Sequence, residues 1–490
     1  MITQNNEKHD DFVICSAPGK VLVTGGYLVL ERPNSGMVLA TDACFHTTVG
    51  KITVNNEKDV PQMMMMMDHG TKNSYYLALN VYSPQFFTTY YYWIHVSTNS
   101  EDDQFPEIQL LPRKNNYSRN SFLEKVLSLI FAFVFSHSKD CKLWKWIKRN
   151  DDDSNMDIGL GIQWMGDDDF YSSITKNKED GSIEVHKTGL GSSAALVTST
   201  VGALLDYSKI ISSTVSQDID RIVHNVAQAV HGWAQGKIGS GFDVSAAIYG
   251  SHIYTRFDPS IMDSLFDIPY EESTISSEMS RILYELCYDE TKWNSIVQQI
   301  HNFPFQLALI DVCGGSESPS MAKRVLAWKK KKKNGDMTVW NELQRLNQEI
   351  HDWFLHPMTN TTTTTTTTSV KELQTKMLKG RSYMKQMGME ANVPIEPDEQ
   401  TELANLIMET IPENIIMTGV PGAGGYDALY ILYNNKNNND GNEQSSKKEL
   451  DQHISQLNST STSTTTYRTL TCRHSDHGYQ FQHICTFEWP

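Results

Sequence analysis

No two of the seven cysteines (Cys15, Cys44, Cys141, Cys287, Cys313, Cys472, Cys485) stand at CxxC spacing, and an odd, scattered set does not make a disulfide framework. Free thiols in a reducing compartment are expected. Basic residues are in the minority, 42 Lys and Arg against 58 Asp and Glu, giving a net charge of -16 and a pI near 5.4. That excludes a broad electrostatic footprint for nucleic acid or an anionic membrane, so any anionic ligand must be held by local cations. Long apolar runs are missing as well. The greasiest stretch, VLSLIFAFVF (Val126 to Phe135), follows Glu124 and Lys125 and falls short of the roughly 20 residues a membrane span needs. It predicts a buried helix. MITQNNEKHDD at the start has no apolar core for a signal peptide. The reading is a soluble cytoplasmic protein without nucleic-acid or membrane partners, monomer and homodimer both being open.

At 490 residues the chain can bury a large core in two packed lobes. Five segments lack the apolar periodicity that would offset their ordering entropy and are expected to be surface loops. They are Met63 to Met67, DDDSNMD (151–157), Lys329 to Lys333, Thr361 to Thr368, and NNKNNNDGNEQSSKK (434–448). The lysine run reads as a solvated face rather than a nuclear address. The rest is mixed α/β. FVICSAPGKVLVTGGYLVL suggests two short strands around a Pro-Gly turn, and IEVHK another strand. SSAALVTSTVGALLDYSKI predicts a helix capped by Ser192 or Ser193. SQDIDRIVHNVAQAVHGWAQ predicts a second helix, with Ile219, Ile222, Val223, Val226 and Val230 on one face. IGSGFDVSAAIYGSHIYTRF follows as a glycine turn, a short helix and a strand. RTLTCRH reads as a final strand.

KTGLGSSAAL (187–196) carries the chemistry. Gly189 to Ala194 satisfy G-x-G-x-x-G/A, but a dinucleotide fold needs a strand directly after the helix and an acid at its end. Here a second helix follows and Asp206 lies inside the first, so that reading fails. Gly232 to Lys237 (GWAQGK) is one residue short of a Walker loop and places Ile238 where Ser or Thr should stand. What survives is a glycine loop at a helix N-terminus, where unpaired N–H groups favour phosphate. His224 and His231, at i and i+7, read as a satisfied, partly buried pair, and CRHSDHGYQFQHIC lacks the paired close ligands of a zinc site. DDDSNMD reads as a solvated loop rather than an acidic metal motif.

Three more glycine-rich stretches stand far apart: APGKVLVTGGY (17–27), GKIGSGFD (236–243) and GVPGAGGYDA (419–428). With DFYSS, KTGLGSSAA, AQGKIGSGFDVSAAIYGS, DVCGGSESPSMAKRVLAW and VPIEPDEQTEL, their order and wording resemble the galactokinase, homoserine kinase, mevalonate kinase and phosphomevalonate kinase (GHMP) superfamily. Within it they resemble the fungal and plant phosphomevalonate kinase branch. The resemblance implies an α/β, two-lobed fold: an N-terminal ATP-binding lobe like ribosomal protein S5 domain 2 (1–260) and a ferredoxin-like C-terminal lobe (261–490). It implies ATP and 5-phosphomevalonate as substrates and Mg2+ as cofactor.

By the same resemblance, Lys20 and Asp243 are the catalytic pair. Lys187, Gly189, Leu190, Gly191, Ser192, Ser193 and Ala194 cradle the nucleotide phosphates, with Ser192 or Ser193 on the metal. Lys237, Ser240, Gly241, Gly315, Ser316, Gly422, Ala423, Gly424 and Gly425 face the acceptor, and Gly314 and Ser318 flank the second turn. For Lys237 a helix cap stays open, and for the last two stretches a purely structural turn does. One departure stands out. Mevalonate kinases carry a glutamate metal ligand where this chain has HGWAQ (231–235). A sister kinase or decarboxylase, or a non-catalytic nucleotide sensor, would share the scaffold.

Overall fold

The alternation of Val13, Cys15 and Ala17, all fully buried, with half-exposed Phe12, Ile14 and Ser16 makes the first strand. The computed structural model describes residues 12–54, 73–113, 119–152, 158–176, 183–211, 216–270, 274–312, 318–332, 335–356, 363–410, 414–426, 428–434, 448, 450–452, 454–456, 468–470 and 474–489. The first half contains strands β1 (Phe12–Thr24), β2 (Ser35–Thr53), β3 (Asn73–Ser83), β4 (Thr88–Thr98), β5 (Glu107–Pro112), β6 (Ile158–Gly166), β7 (Tyr171–Lys176), β8 (Ile183–Lys187) and β9 (His252–Thr255). Its helices are α1 (Ser121–His137), α2 (Lys142–Asp152), α3 (Ser192–Tyr207), α4 (Ser216–Ala234) and α5 (Phe242–Tyr249). Beyond them come β10 (Thr274–Ile275), α6 (Ser277–Tyr288), β11 (Ile296–Gln299), β12 (Gln306–Asp311), α7 (Ser318–Lys332), α8 (Thr338–Leu355), α9 (Thr363–Ala391) and α10 (Asp398–Thr410). The chain closes with β13 (Ile415–Gly419), β14 (Ala428–Tyr433), β15 (Arg468–Leu470), β16 (His474–Ser475) and β17 (Gln480–Ile484).

Two sheets organise these elements. The large one runs β10-β5-β4-β3-β6-β2-β1-β17, with β9 and β16 also on β2 and β11 on β9. Helices α1, α3, α4, α5 and α6 share its main core. α1 is the expected buried helix, apolar nearly all round and so interior. Among the described residues no single helix is long and apolar enough to cross a membrane, although α1 with Lys142–Lys148 passes as a pair bent by 91°. The second sheet, β13-β14-β12-β15, is antiparallel throughout, and its order with α7 to α10 between β12 and β13 is the ferredoxin-like arrangement. The division at residue 260 is not a division between sheets, since β16 and β17 return to β2 and β1.

Several local expectations are corrected. β1 is one continuous strand, not two: Pro18 and Gly19 make a bulge in its pairing with β2, and the Lys20 N–H donates to the Leu190 carbonyl at 2.9 Å. Lys329 to Lys332 form the last turn of α7, where cations meet the helix dipole; Lys329 pairs with Glu31 over the Trp340 ring, and Lys332 pairs with Glu390. Thr363 to Thr368 open α9, which continues into buried Leu373 and Met377, so packing overrides weak propensity. Within RTLTCRH, Arg468–Leu470 form β15 and His474 opens β16, while residues 471–473 lie outside the described residues. His224 and His231 are buried fully rather than partly. Cys15, Cys44, Cys141, Cys287 and Cys485 are free thiols; Cys313 and Cys472 lie outside the described residues.

Candidate active site

The phosphate loop is held at both ends. Before it, Thr188 ties to the short helical turn that precedes β7, its N–H donating to the Phe170 carbonyl at 3.2 Å and its hydroxyl to the Asp169 carbonyl at 2.6 Å. After it, α3 starts at Ser192 with Gly191, not a serine, as N-cap at φ 80°. A left-handed cap suits glycine and frees both serine hydroxyls for other work. The N–H groups of Ala194 and Ala195 turn back on the Gly191 carbonyl, which leaves those of Ser192 and Ser193 at the helix mouth.

Three distant pieces of chain meet at Gly191. A Cβ placed there would lie 3.1 Å from Lys20 Cε and 3.8 Å from Asp243 Cβ, so the glycine sits between the two expected catalytic side chains. Lys20 Nζ donates to the Gly189 carbonyl at 2.7 Å and lies 5.6 Å from the Phe242 ring centroid. Asp243 stands in the first turn of α5, whose N-cap Gly241 has φ 85°. A Cβ on Gly241 would come within 2.7 Å of Tyr254 Oη and 3.0 Å of Gln228 Oε1. The turn before it rests on two residues the sequence reading passed over. Arg256 donates to the Ile238 and Gly239 carbonyls at 3.2 and 2.6 Å, and the Tyr254 hydroxyl donates to the Ser240 carbonyl at 3.1 Å. Lys237 caps α4 with its backbone N–H, bonded to the Gly232 carbonyl at 3.2 Å, while its side chain is exposed. Both of its proposed roles are therefore compatible.

Beside the loop opens a cavity of about 530 Å³, walled by Phe86, Phe87, Phe122, Trp164 and Tyr171 and reached by Lys187, Ser192 and Ser193. An aromatic chamber adjoining a phosphate-binding helix end has the shape and chemistry of a nucleotide site. Ser192, 7% exposed, hydrogen-bonds the Tyr171 phenol, whose pKa burial pushes up to about 12. Ser193 faces α4 instead. Its hydroxyl lies 3.2 Å from His231 Nε2 and 3.3 Å from Gln235 Nε2. Burial pulls the His231 pKa below the usual imidazole range; Asp243 opposes this and Lys237 adds to it.

The remaining expected residues lie elsewhere. Gly422 to Gly425 dock at the far end of β1: the Gly422 N–H donates to the Leu22 carbonyl at 2.9 Å and the Tyr27 hydroxyl to the Ala423 carbonyl at 2.6 Å. The Gly425 N–H donates to the Ile395 carbonyl at 2.9 Å, which seats the loop on the second lobe. This loop lines the boundary between lobes next to the catalytic strand, not the helix mouth. Gly314, Gly315 and Ser316 lie outside the described residues.

A family described as GHMP kinases N terminal domain matches residues 168–251, the stretch from Asp168 through the phosphate loop to the end of α5. The chain is 34% identical over 449 residues to phosphomevalonate kinase erg8 of Aspergillus fumigatus, covering 85% of this chain and 86% of the relative. It is 30% identical over 491 residues to the peroxisomal phosphomevalonate kinase of Arabidopsis thaliana, covering 86% and 89%. The chain belongs to the phosphomevalonate kinase family. In fold, this family member is similar to the Listeria innocua protein Lin0012 (TM-score 0.58, 14% identity, 96% of this chain and 100% of that one). It is likewise similar to the Streptococcus pneumoniae phosphomevalonate kinase in complex with phosphomevalonate and AMPPNP (TM-score 0.53, 14% identity, 94% and 99%).

The donors at the loop of this phosphomevalonate kinase family member fit a divalent cation of a particular kind. Among the described residues no cluster of three or more His, Cys, Asp or Glu could cage a metal. A serine hydroxyl at the helix mouth instead suits a hydrated divalent cation held largely by nucleotide phosphates.

Proposed function

We propose that the protein is an ATP-dependent phosphotransferase that converts (R)-5-phosphomevalonate to 5-diphosphomevalonate, a step toward isoprenoids and sterols. The observation that carries this is the convergence of Lys20, Gly191 and Asp243 at a phosphate-binding helix end beside an aromatic cavity. An acceptor phosphate oxygen forms a bond to the γ-phosphorus, the bond from that phosphorus to the β–γ bridging oxygen breaks, and ADP leaves. The acceptor, with a second pKa of about 6, is mostly dianionic near neutral pH, so no base need remove a proton. The barrier is the approach of two anions.

The chain meets that barrier with fixed positive charge. Lys20 sits at the loop and can reach both the transferred group and the acceptor, while the N–H groups of Ser192 and Ser193 offset charge on the nucleotide. Lys237 and the 238–241 turn, braced by Arg256, take the acceptor's phosphate. Asp243 serves chiefly to orient Lys20. Mg2+, when bound with the nucleotide at Ser193, would supply further neutralisation of phosphate charge.

The test is an ADP-coupled assay with mevalonate, 5-phosphomevalonate and 5-diphosphomevalonate, each with and without Mg2+. Turnover is expected with 5-phosphomevalonate alone and only with the metal; equal turnover on mevalonate would overturn the acceptor assignment. A cytoplasmic location is proposed from the scattered thiols, and imaging a fluorescent fusion tests it against the peroxisome named for the Arabidopsis relative. Light scattering distinguishes the monomer from the homodimer.

A further inference from the structure

We propose that Arg256 and Tyr254 are positioning residues for the acceptor: by taking three consecutive carbonyls of the 238–240 turn, they turn the next three N–H groups toward the phosphate of 5-phosphomevalonate. The inference rests on the phosphotransferase reading above and deepens its acceptor site, giving the grip on that phosphate to main chain as well as to Lys237.

The direction of each bond is fixed by its partners, since a carbonyl can only accept. Arg256 Nη2 donates to the Ile238 and Gly239 carbonyls at 3.2 and 2.6 Å, and the Tyr254 hydroxyl donates to the Ser240 carbonyl at 3.1 Å. These peptides are trans, and in a trans peptide the N–H points opposite to the C=O. The N–H groups of Gly239, Ser240 and Gly241 are therefore turned away from Arg256 and Tyr254. Among the described residues no acceptor meets them. Successive main-chain N–H groups facing one way form an anion-binding hollow.

The two sides of the turn differ accordingly. On the carbonyl side a Cβ on Gly241 would come within 2.7 Å of Tyr254 Oη and 2.8 Å of a Phe257 ring carbon, and both of those residues are buried. That side is packed. By contrast a Cβ on Gly239 would meet nothing nearer than the Gly241 nitrogen at 4.0 Å, and Lys237 just before it is exposed. The turn runs straight into α5, where the Phe242 ring lies 5.6 Å from Lys20 Nζ and Asp243 stands beside Gly191, so the row of N–H groups ends at the point of transfer. Through Nη1, Arg256 also donates to the Leu30 carbonyl at 2.8 Å, which keys the turn to the chain leaving β1, the strand of Lys20. Both Nη atoms are thus spent on main-chain oxygens. Arg256 acts on the acceptor through the turn.

The experiment is steady-state kinetics of the full chain with Mg2+, varying 5-phosphomevalonate and ATP in turn, beside melting curves. Arg256→Leu is expected to raise KM for 5-phosphomevalonate about thirtyfold and Tyr254→Phe about fivefold, with KM for ATP within about twofold and kcat at saturating acceptor within about threefold. Arg256→Lys, which can hold one carbonyl in place of two, should fall between Arg256→Leu and the wild type. A merely structural role would lower the melting temperature or the active fraction without separating the two substrates. An unchanged acceptor KM, an equal rise in KM for ATP, or a loss confined to kcat would overturn the proposal. If Arg256→Leu fails to fold, Tyr254→Phe, which deletes a single oxygen, carries the same test. Absence of wild-type turnover on 5-phosphomevalonate would sink the functional reading and this inference with it, whereas an active wild type whose variants keep its acceptor KM would sink this inference alone.

Discussion

Lys20→Met is expected to lower kcat with 5-phosphomevalonate about 10³-fold, while Asp243→Asn keeps roughly a tenth of the wild-type rate. Methionine preserves the unbranched stem beside Phe242 and the backbone bond to Leu190, so the variant removes the ammonium and little else. That charge is what lets the γ-phosphoryl group and a dianionic acceptor approach one another. In the second variant the asparagine keeps the size of the aspartate and an oxygen acceptor in the first turn of α5. Because the acceptor needs no deprotonation, the loss is one of orientation. The acid limb of kcat/KM, set by the acceptor's second pKa of about 6, should therefore persist in Asp243→Asn. Steady-state kcat and KM across pH, with melting temperatures as a folding control, decide it. Equal and complete loss in both variants would defeat this division of labour.

What is legible in the sequence is what is local. β8, the phosphate loop, α3, α4 and α5 declare themselves through periodicity and glycine punctuation, and the structure brings Lys20, Gly191 and Asp243 together from three such segments. The Pro18-Gly19 bulge reads as a turn because a single strand cannot reveal that β2 pairs on both sides of it. The cap at Gly191 hides behind two serines that look like better caps. Arg256 acts on carbonyls of a turn that precedes it by a whole helix and strand, a contact no spacing rule describes. The return of β17 to β1 joins the two ends of the chain, and its short polar sequence carries no sign of its partner. His231 is visible as one of a pair with His224, yet its ring lies against Ser193 on the neighbouring helix. Apart from the local cap at Gly191, each of these rests on long-range pairing, which leaves no period in the sequence.

The lobe boundary offers a comparison in which two glycines that look alike should behave very differently. In Gly26→Val the new side chain would run into the carbonyl oxygen of Gly422 and approach Met384 Cε, for which a Cβ alone already stands at 3.1 Å. The obstruction is backbone, and that backbone is fixed by the Gly422 bond to Leu22 and the Tyr27 bond to Ala423. It cannot yield locally, so the third glycine loop must move off the end of β1. That end belongs to the same strand as Lys20, and the loop is seated on the second lobe through Ile395, so displacement there alters how the lobes meet. A misplacement of about 1 Å between reacting groups can cost on the order of 10²-fold, and kcat/KM for 5-phosphomevalonate should fall by about that factor. Gly422→Ala, with no heavy atom within 4 Å of the added Cβ, bears only the strain of φ 64°. Its expected penalty is about 1 kcal/mol of stability with turnover largely kept. Measured kcat/KM and melting temperature for the two variants test the idea, and similar activities would mean that the loop does not set the geometry of the cleft.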